Sequence, residues 1–280
     1  MEDYRPKLMT VEKVRQETPD VRTLFMKFND GTEVKDFEYK PGQFMMLSVL
    51  GQGECTFCLT QSPTRAEYIE ASIKLAGKVT EEFHNLNEGT VVGFRGPYGN
   101  FFDVEAWKGK NIVFVAGGIG MAPVRSVLNY VLDKRDDYGK MTIVYGSRSP
   151  EDLSYKEEHE EWRKAKDCDV HITVDPAPKS VGKWPGWEGP VGFVPTILED
   201  VAPSSKDTVC VVCGPPIMIK FTLQVLTKLG FKDDDIITTL ENRMQCGIGK
   251  CGRCNVGRIY VCKDGPVFTN TQLKELPDDF

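Results

Sequence analysis

The chain has 280 residues, of which 40% are hydrophobic and 27% charged, and this length is enough for two domains and a small third. A net charge of −6 argues against a nucleic-acid-binding protein, no apolar run approaches the roughly 18 residues of a membrane span, and the N-terminus has no signal-peptide pattern. The nine cysteines, several of them crowded together, favour a reducing compartment, so we predict a cytoplasmic location.

Residues 1–105 have the pattern of short β-strands. Alternating or apolar runs such as VRTLFMKF, QFMMLSVL and YIEASIKL are separated by turn signals such as Asn29-Asp30-Gly31 and Pro41-Gly42. This pattern predicts a small antiparallel β-barrel.

One predicted strand of this barrel carries two cysteines. Its candidate ligand-lining residues are Cys55, Thr56, Phe57 and Cys58. Alternation along a strand places Cys55 and Cys58 on opposite faces, so we do not expect them to share a metal. Packing, or lining a bound ligand, is the expected role.

A second candidate site in the barrel precedes a short helical stretch, EEFHNL. It consists of Gly77, Lys78, Val79 and Thr80. A glycine and a threonine at a helix start bind a diphosphate through backbone amides and a hydroxyl, although the same pattern also serves as a plain N-cap. Tyr98, in a following turn, either stacks on a ring or covers the barrel.

From residue 106 to residue 240 the pattern changes to strands alternating with helices. The apolar run NIVFVA is typical of a parallel strand covered on both faces, and apolar residues at 124, 127, 128 and 131 then follow a helical period. Further runs are MTIVYG, DVHITV and TVCVVCG, with IMIKFTLQVLTKLG as the clearest later helix. We therefore predict a parallel α/β nucleotide-binding domain with DIITTL as its last strand.

Two turns in this domain follow predicted strands, where such folds bind ligands. The first is rich in glycine and contains Gly117, Gly118 and Gly120. It lets backbone amides approach a phosphate, or it serves packing alone. The second contains Cys213, Gly214 and Pro215. We expect it beside the first turn, near a bound dinucleotide; the alternative is a structural cysteine before a Pro-marked helix start.

A third turn contains Ser147 and Arg148. This pair would suit an adenosine 2′-phosphate, because arginine matches phosphate geometry. Surface solvation explains the pair nearly as well. The sequence therefore leaves the choice between NAD and NADP open.

Four cysteines in residues 241–280 have the spacing C-x4-C-x2-C-x7-C. They are Cys246, Cys251, Cys254 and Cys262. The x4/x2 opening is the plant-type spacing for a 2Fe–2S cluster, whereas structural zinc sites more often show paired C-x2-C knuckles. We predict a 2Fe–2S cluster on a small loop-rich segment, too short for a whole ferredoxin domain, with zinc as the alternative.

Together these motifs resemble the ferredoxin–NADP-reductase superfamily. Within it they are similar to the flavin- and iron–sulfur-containing electron-transfer subunits of hydrogenases and sulfhydrogenases, of anaerobic sulfite reductase and of dihydroorotate dehydrogenase. The resemblance covers nearly the whole chain, and its most specific parts are AGGIGMAPVRS, CGPP, ENRMQCGIGKCGRC and YVCKDGPVF.

The resemblance implies FAD bound mainly by the barrel and NAD(P)H bound by the α/β domain. It implies that Gly77 and Thr80 hold the FAD diphosphate and that Cys213, the catalytic candidate, lies near the nicotinamide ring. The flavin strand of this superfamily usually reads Arg-x-Tyr-Ser, and residues 55–58 lack both the arginine and the serine.

The function implied is an oxidoreductase subunit that moves electrons between NAD(P)(H) and a partner subunit. NAD(P)H gives a hydride to the flavin, and the cluster passes electrons on one at a time. The expected partner belongs to a hydrogenase, sulfite reductase or heterodisulfide-reductase-like complex, with dihydroorotate dehydrogenase as an alternative. An alternative of another class is a zinc-stabilised nucleotide-binding regulatory subunit.

Overall fold

The computed structural model describes residues 4–277, whose strands form two six-stranded sheets and one small hairpin. The predicted boundary at residue 105 falls in the connection between the two large sheets. The predicted boundary at residue 240 falls directly after a strand of the second sheet. No helix in residues 4–277 is long and apolar enough to cross a membrane.

The N-terminal sheet is antiparallel and carries one helix. Its elements are β1 (Lys7–Thr18), β2 (Val21–Phe28), β3 (Phe44–Val49), β4 (Gly53–Cys58), β5 (Ile69–Lys74), α1 (Lys78–His84) and β6 (Val91–Tyr98). The strand order is β4-β3-β6-β1-β2-β5. Alternate side chains, among them Leu24, Met26, Ile73 and Phe94, form its buried core, as expected for β-branched, aliphatic and aromatic residues on a pleated surface.

This antiparallel sheet is curled into a half-barrel, in agreement with the predicted barrel-type domain. Within residues 4–277, the edge strands β4 and β5 share no hydrogen-bonded ladder. Directly after β4, the Thr60 N–H donates to the Glu70 carbonyl oxygen of β5 at 3.2 Å, so the two edges approach each other. Thr64 and Arg65 then bind Asp133 and tie this connection to the second domain.

The second domain is a sheet with helices on both faces. Its elements are β7 (Asn111–Gly117), α2 (Met121–Asp133), β8 (Met141–Ser147), α3 (His159–Lys164), β9 (Cys168–Val174), α4 (Val194–Val201), β10 (Thr208–Cys213), α5 (Pro216–Lys228) and β11 (Ile236–Thr239). These strands pair in parallel. Helix α2 buries residues 124, 127, 128 and 131, which confirms the predicted periodicity.

The C-terminal segment continues beyond the last cysteine, Cys262, into a further strand and helix. It contains β12 (Asn255–Val256), β13 (Ile259–Tyr260), α6 (Val261–Asp264), β14 (Val267–Thr269) and α7 (Asn270–Lys274). Strand β14 pairs antiparallel with β11, so the order of the second sheet is β14-β11-β10-β7-β8-β9. The prediction that β11 is the last strand was wrong, and the sheet is mixed, because Val267 and Phe268 return to bury their side chains beside β11.

The two domains share a polar interface around strand β5. One face of β5 belongs to the half-barrel core, while Glu70 and Ser72 on its other face meet the second domain. Arg125 of α2 binds Glu70 at 2.7 Å, and Tyr155 donates a hydrogen bond to Ser72 Oγ at 2.7 Å. These buried contacts hold the ends of β4 and β10 near each other.

Candidate functional site

The glycine turn and the Cys213 turn lie in contact. Strands β7 and β10 are neighbours, with Ala116 paired to Cys213, so both turns leave the same edge of the sheet. A Cβ atom on Gly120 would lie 2.6 Å from the Cys213 carbonyl oxygen, which explains why glycine is needed there. At Gly118, where φ is +54°, a Cβ atom would meet no protein atom within 4 Å. This open side leaves room for the predicted phosphate.

Cys213 supplies a neutral thiol to this edge of the sheet. The side chain is 9% exposed, and its sulfur lies 3.1 Å from Thr239 Oγ1. Burial raises the pKa of the Cys213 thiol to about 12. A thiol with this pKa provides neither a thiolate nucleophile nor a base near neutral pH, and its contact with a nicotinamide ring stays a prediction.

Two further groups meet Cys213 at the domain junction. Cys58, at the end of β4, has its pKa raised by burial and also by the nearby Glu241 and Cys213. Glu241 follows β11 and is accessible to solvent, yet the surrounding protein raises the pKa of its carboxyl group. This junction between the domains, called the cleft below, therefore brings together one group from the half-barrel and two from the second domain.

Sequence reasoning missed Glu241. The signal available was its position, because an acidic residue directly after a parallel strand lies at the edge where ligands of such sheets bind. The residue was included in the motif ENRMQCGIGKCGRC only as part of the resemblance.

The predicted flavin strand presents different residues to different neighbours. Thr56 Oγ1 donates to the carbonyl oxygen of Met244 at 3.2 Å, and Cys58 faces the second domain. Phe57 instead packs edge-on against Phe83 of α1, with ring centroids 5.3 Å apart. By strand alternation Cys55 shares the side of Phe57. A cofactor contact for each of these residues stays a prediction.

The turn at residues 77–80 is organised by the Thr80 hydroxyl. Thr80 Oγ1 accepts hydrogen bonds from the N–H groups of Ala76 and Gly77, at 2.8 and 2.9 Å, and donates to the Gly77 carbonyl oxygen. Val79 packs against the half-barrel core, and Lys78 is exposed. A Cβ atom on Gly77 would meet no protein atom within 4 Å, which leaves room for the predicted diphosphate.

Ser147 and Arg148 lie one strand away from the glycine turn. Gly117 pairs with Gly146, so β8 ends at the same edge as β7. Ser147 Oγ donates to the Ser149 carbonyl oxygen at 2.7 Å. Arg148 is 71% exposed and forms ion pairs with Asp152 and Asp20, at 3.3 and 3.9 Å. Its charge is directed at carboxylates in this structure, and the predicted contact with a 2′-phosphate stays a prediction.

The four predicted cluster ligands are arranged as two pairs. The Cys246 sulfur accepts a hydrogen bond from the Cys251 N–H at 3.4 Å, and the Cys254 sulfur accepts one from the Cys262 N–H at 3.5 Å. Within residues 4–277, no three His, Cys, Asp or Glu side chains converge on one point as the ligands of a single metal ion do. Two pairs of thiols match a 2Fe–2S cluster, in which each iron takes two protein ligands.

Backbone amides around the cysteines point at their sulfur atoms. Gly249 N–H donates to the Cys262 sulfur at 3.1 Å, and Lys250 N–H donates to the Cys246 sulfur at 3.2 Å. Burial acts to raise the pKa of Cys246, but the N–H groups around its sulfur together lower the pKa to about 6. Gly247 and Gly249 have φ of +78° and +73°, which lets the loop wrap in this way. The donor set therefore fits an iron–sulfur cluster.

Tyr98 lies beside this cysteine segment. A Cβ atom on Gly247 would collide with the Tyr98 ring, and the ring centroid of Phe44 lies 5.9 Å from that of Tyr98. The sequence suggested either stacking on a ligand ring or covering the barrel. The structure places Tyr98 between the half-barrel and the cysteine loop, and a contact of its ring with a ligand stays a prediction.

Three protein families match consecutive parts of the chain. An oxidoreductase FAD-binding domain matches residues 8–102, and an oxidoreductase NAD-binding domain matches residues 114–224. The iron–sulfur cluster binding domain of dihydroorotate dehydrogenase B matches residues 241–274. The predicted classes of cofactor, a flavin, a nicotinamide dinucleotide and an iron–sulfur cluster, are confirmed by these matches.

Known proteins similar to the chain match it over nearly the whole length. It is 37% identical to sulfhydrogenase 1 subunit gamma of Pyrococcus furiosus, across 95% of this chain and 91% of that protein. It is 30% identical to a probable dihydroorotate dehydrogenase B (NAD(+)) electron transfer subunit of Methanocaldococcus jannaschii, across 96% and 92%. A solved structure of NADH-dependent reduced ferredoxin–NADP oxidoreductase shares the fold, with a TM-score of 0.76, 23% identity and coverage of 96% and 90%.

Proposed function

We propose a function that proceeds from the family to which the chain belongs, the electron-transfer subunits that include sulfhydrogenase gamma and the electron transfer subunit of dihydroorotate dehydrogenase B. The chain is an NAD(P)H-dependent flavin oxidoreductase subunit with an iron–sulfur domain. It transfers electrons between NAD(P)(H) and another subunit of a redox complex. The cluster that it carries is 2Fe–2S, held by Cys246 and Cys251 on one iron and by Cys254 and Cys262 on the other.

One observation supports this electron route more than any other. The Thr56 hydroxyl of the flavin strand donates a hydrogen bond to the carbonyl oxygen of Met244, two residues before the first cluster cysteine. A flavin lining β4 and a cluster on this segment are therefore separated by little more than one layer of side chains. When bound, the flavin accepts a hydride from NAD(P)H and releases electrons singly to the cluster.

The residues of the cleft have separate tasks in this proposal. The glycine turn offers backbone amides to the dinucleotide diphosphate, with the open space at Gly118. Cys213, kept neutral, orients the nicotinamide ring, and Cys58 lies opposite it at the flavin. Glu241 places a carboxyl group beside both thiols, where a carboxylate stabilises positive charge that develops on the nicotinamide.

The first test is the content of the purified protein. Anaerobically purified protein should contain flavin and iron with acid-labile sulfide, in a ratio of about one flavin to two irons. It should reduce an artificial acceptor with NADH or NADPH, and the two values of kcat/KM would decide between NAD and NADP. A colourless protein with one zinc per chain and no flavin would contradict the proposal and support the zinc-stabilised regulatory subunit.

The partner of the chain is of the sulfhydrogenase type in this proposal. The greater identity with the two sulfhydrogenase gamma subunits, 37% and 36% against 30–34% for the dihydroorotate dehydrogenase subunits, supports it. The match of residues 241–274 to a dihydroorotate dehydrogenase B domain keeps that complex as the second candidate. Co-purification from native cells decides between hydrogenase-like subunits and a flavin-containing dihydroorotate dehydrogenase, and fractionation of the same cells tests the predicted cytoplasmic location.

A further inference from the structure

A buried arginine of strand β6 faces the cysteine segment. The Arg95 side chain is 7% exposed, and its guanidinium binds the Glu54 carboxylate through two contacts, at 2.5 and 2.9 Å. Glu54 directly precedes Cys55 on the predicted flavin strand β4. The two-contact geometry fixes the plane of the guanidinium and leaves its remaining N–H groups free to point elsewhere.

Those remaining N–H groups point at the backbone of the first cluster cysteine. Arg95 Nη1 donates to the Cys246 carbonyl oxygen at 3.2 Å, and Nη2 lies 3.4 Å from the Gln245 carbonyl oxygen. The Tyr4 hydroxyl donates to the same Cys246 carbonyl at 2.8 Å. The rings of Tyr4 and Tyr98 lie near the guanidinium, at 4.8 and 5.9 Å from their centroids.

A contribution to fold stability does not by itself explain why this ion pair is buried. Removing two charges from water costs several kcal/mol, and a buried ion pair is often no better for stability than packed apolar residues. The position of the charge has a clearer electrostatic consequence. A cluster held by Cys246 would gain one negative charge on reduction, and a fixed cation in hydrogen-bond contact with the Cys246 backbone favours that reduced form.

We propose that Arg95, held in place by Glu54, is a positioning residue that orients Cys246 and raises the reduction potential of the cluster. The inference rests on the proposed function only in assuming that the cysteines hold a 2Fe–2S cluster. It adds a link between the two centres, because the carboxylate that holds Arg95 stands on the strand predicted to line the flavin. The Arg95–Glu54 pair thereby holds the flavin strand and the cysteine loop in a fixed relative position.

The test is a potentiometric titration of the cluster, followed by electron paramagnetic resonance, in the anaerobically purified full chain. Arg95→Met removes the cation and leaves Glu54 unpaired, so the potential should fall. A tenfold change in the one-electron equilibrium constant corresponds to about 59 mV, and we expect at least this shift. Glu54→Gln removes the anion and leaves the cation, so the potential should rise. Arg95→Lys keeps the charge and should shift the potential less than Arg95→Met.

Arg258→Gln is the matched control. Arg258 lies in the same segment and forms an ion pair with Glu275, but it is largely exposed. Its loss should leave the potential unchanged, because solvent screens an exposed charge.

Three outcomes would overturn the inference. One is a shift of the same sign in Arg95→Met and Glu54→Gln, and another is an unchanged potential and spectrum in both. A third is loss of iron with no change in the reduction potential of the remaining cluster, which would mean that the Arg95–Glu54 pair only stabilises the fold. If Arg95→Met does not fold, Glu54→Gln and Arg95→Lys still test the sign of the effect. A wild-type protein without iron would contradict the proposed function itself, so the two failures are distinguishable.

Discussion

The Arg125 guanidinium of α2 lies 2.7 Å from the Glu70 carboxylate of β5, and both side chains are at most 5% exposed. Arg125 also binds the Thr60 carbonyl oxygen, so one arginine joins the nucleotide domain to the flavin domain at two points, and Glu158 of its own domain holds the guanidinium in place. Because the contacts lie on either side of the domain boundary, they fix the distance between the strand ends that form the cleft.

Arg125→Met should therefore lower the free energy of unfolding by about 3–5 kcal/mol, because it leaves Glu70 buried without its partner. Urea unfolding followed by circular dichroism measures the change. Lys140→Met is the control, since Lys140 and Asp169 form an exposed ion pair whose loss should not be measurable. An equal effect of the two substitutions would show that burial of the Arg125 pair is unimportant.

Cys254→Ser should separate the two halves of the reaction. Flavin reduction by NAD(P)H, followed in a stopped-flow instrument, should remain close to wild type, while transfer to cytochrome c should fall by about a hundredfold or more. Cys168, on β9 away from the cysteine segment, provides the control Cys168→Ser, for which both rates should be retained. If both rates fell equally in Cys254→Ser, the cysteine segment would be structural.

Gly77→Ala tests the predicted FAD diphosphate site. No protein atom lies within 4 Å of the added carbon, so folding alone predicts almost no cost. A bound diphosphate in that space would impose an overpacking penalty of about 1–3 kcal/mol, which is about a tenfold to hundredfold weaker FAD affinity.

The measurement for Gly77→Ala is FAD affinity by fluorescence titration, with thermal unfolding of the flavin-free protein beside it. Thr80→Ser keeps the hydroxyl that closes the turn and should bind FAD as the wild type does. Unchanged FAD affinity in Gly77→Ala would place the diphosphate elsewhere.

The pH dependence of hydride transfer should come from Glu241 and not from Cys213. With a pKa of about 12, the Cys213 thiol stays protonated from pH 6 to 9 and contributes no change in rate. Desolvation by the surrounding protein raises the pKa of Glu241 although its side chain reaches solvent, so the rate should increase as the pH rises through that raised pKa and the carboxylate forms. Glu241→Gln should lose this dependence and react about tenfold more slowly, which corresponds to about 1.4 kcal/mol.

The experiment is flavin reduction by NADH at a series of pH values. Cys213→Ala is the comparison, because it should keep the pH dependence while slowing the reaction. A Glu241→Gln variant with an unaltered pH profile would remove the residue from the mechanism.

His159 should make the fold sensitive to acid. The ring is buried against Trp162, and burial lowers its pKa from 6.5 to about 4. A histidine with a lowered folded pKa is neutral in the folded state, so its contribution is complete above pH 6.5 and is lost as the pH falls from there toward 4. Between pH 7 and pH 5 the loss should be about 2 kcal/mol.

Urea unfolding at pH 7 and pH 5 measures this loss. His159→Gln does not titrate and keeps an amide donor for the Ser154 carbonyl oxygen that the ring contacts at 3.0 Å. The variant should lose about 2 kcal/mol less than the wild type over the same interval. Parallel losses in the two proteins would assign the acid sensitivity to other groups.

The sequence predicted the two large domains because their signals are local. Apolar spacing at residues 124–131 and the runs of β7 and β10 depend only on period and burial, and the structure confirms them. The contact between the glycine turn and Cys213 was also predictable, since adjacent parallel strands end at one edge.

What the sequence could not predict depends on contacts between distant residues. Strand β14 is only three residues long, too short for a periodic signal, and its place is set by pairing with β11. The Arg95–Glu54 pair joins two strands through side chains that look like ordinary surface charges in the sequence. Glu241 was missed because its one signal, the position directly after β11, does not by itself distinguish it from a solvated glutamate.

The return of β14 to the edge of β11 means that the cysteine segment is anchored to the same sheet at both of its ends. Many electron carriers work as a swinging arm, in which a cofactor on a tether visits its donor and its acceptor in turn. A loop fastened at both ends and hydrogen-bonded to the flavin strand through Met244 and Thr56 has no such freedom, so the distance from the flavin strand to the cluster should stay constant during turnover. An acceptor must therefore come to the cluster, and turnover should be independent of solvent viscosity within a preassembled complex.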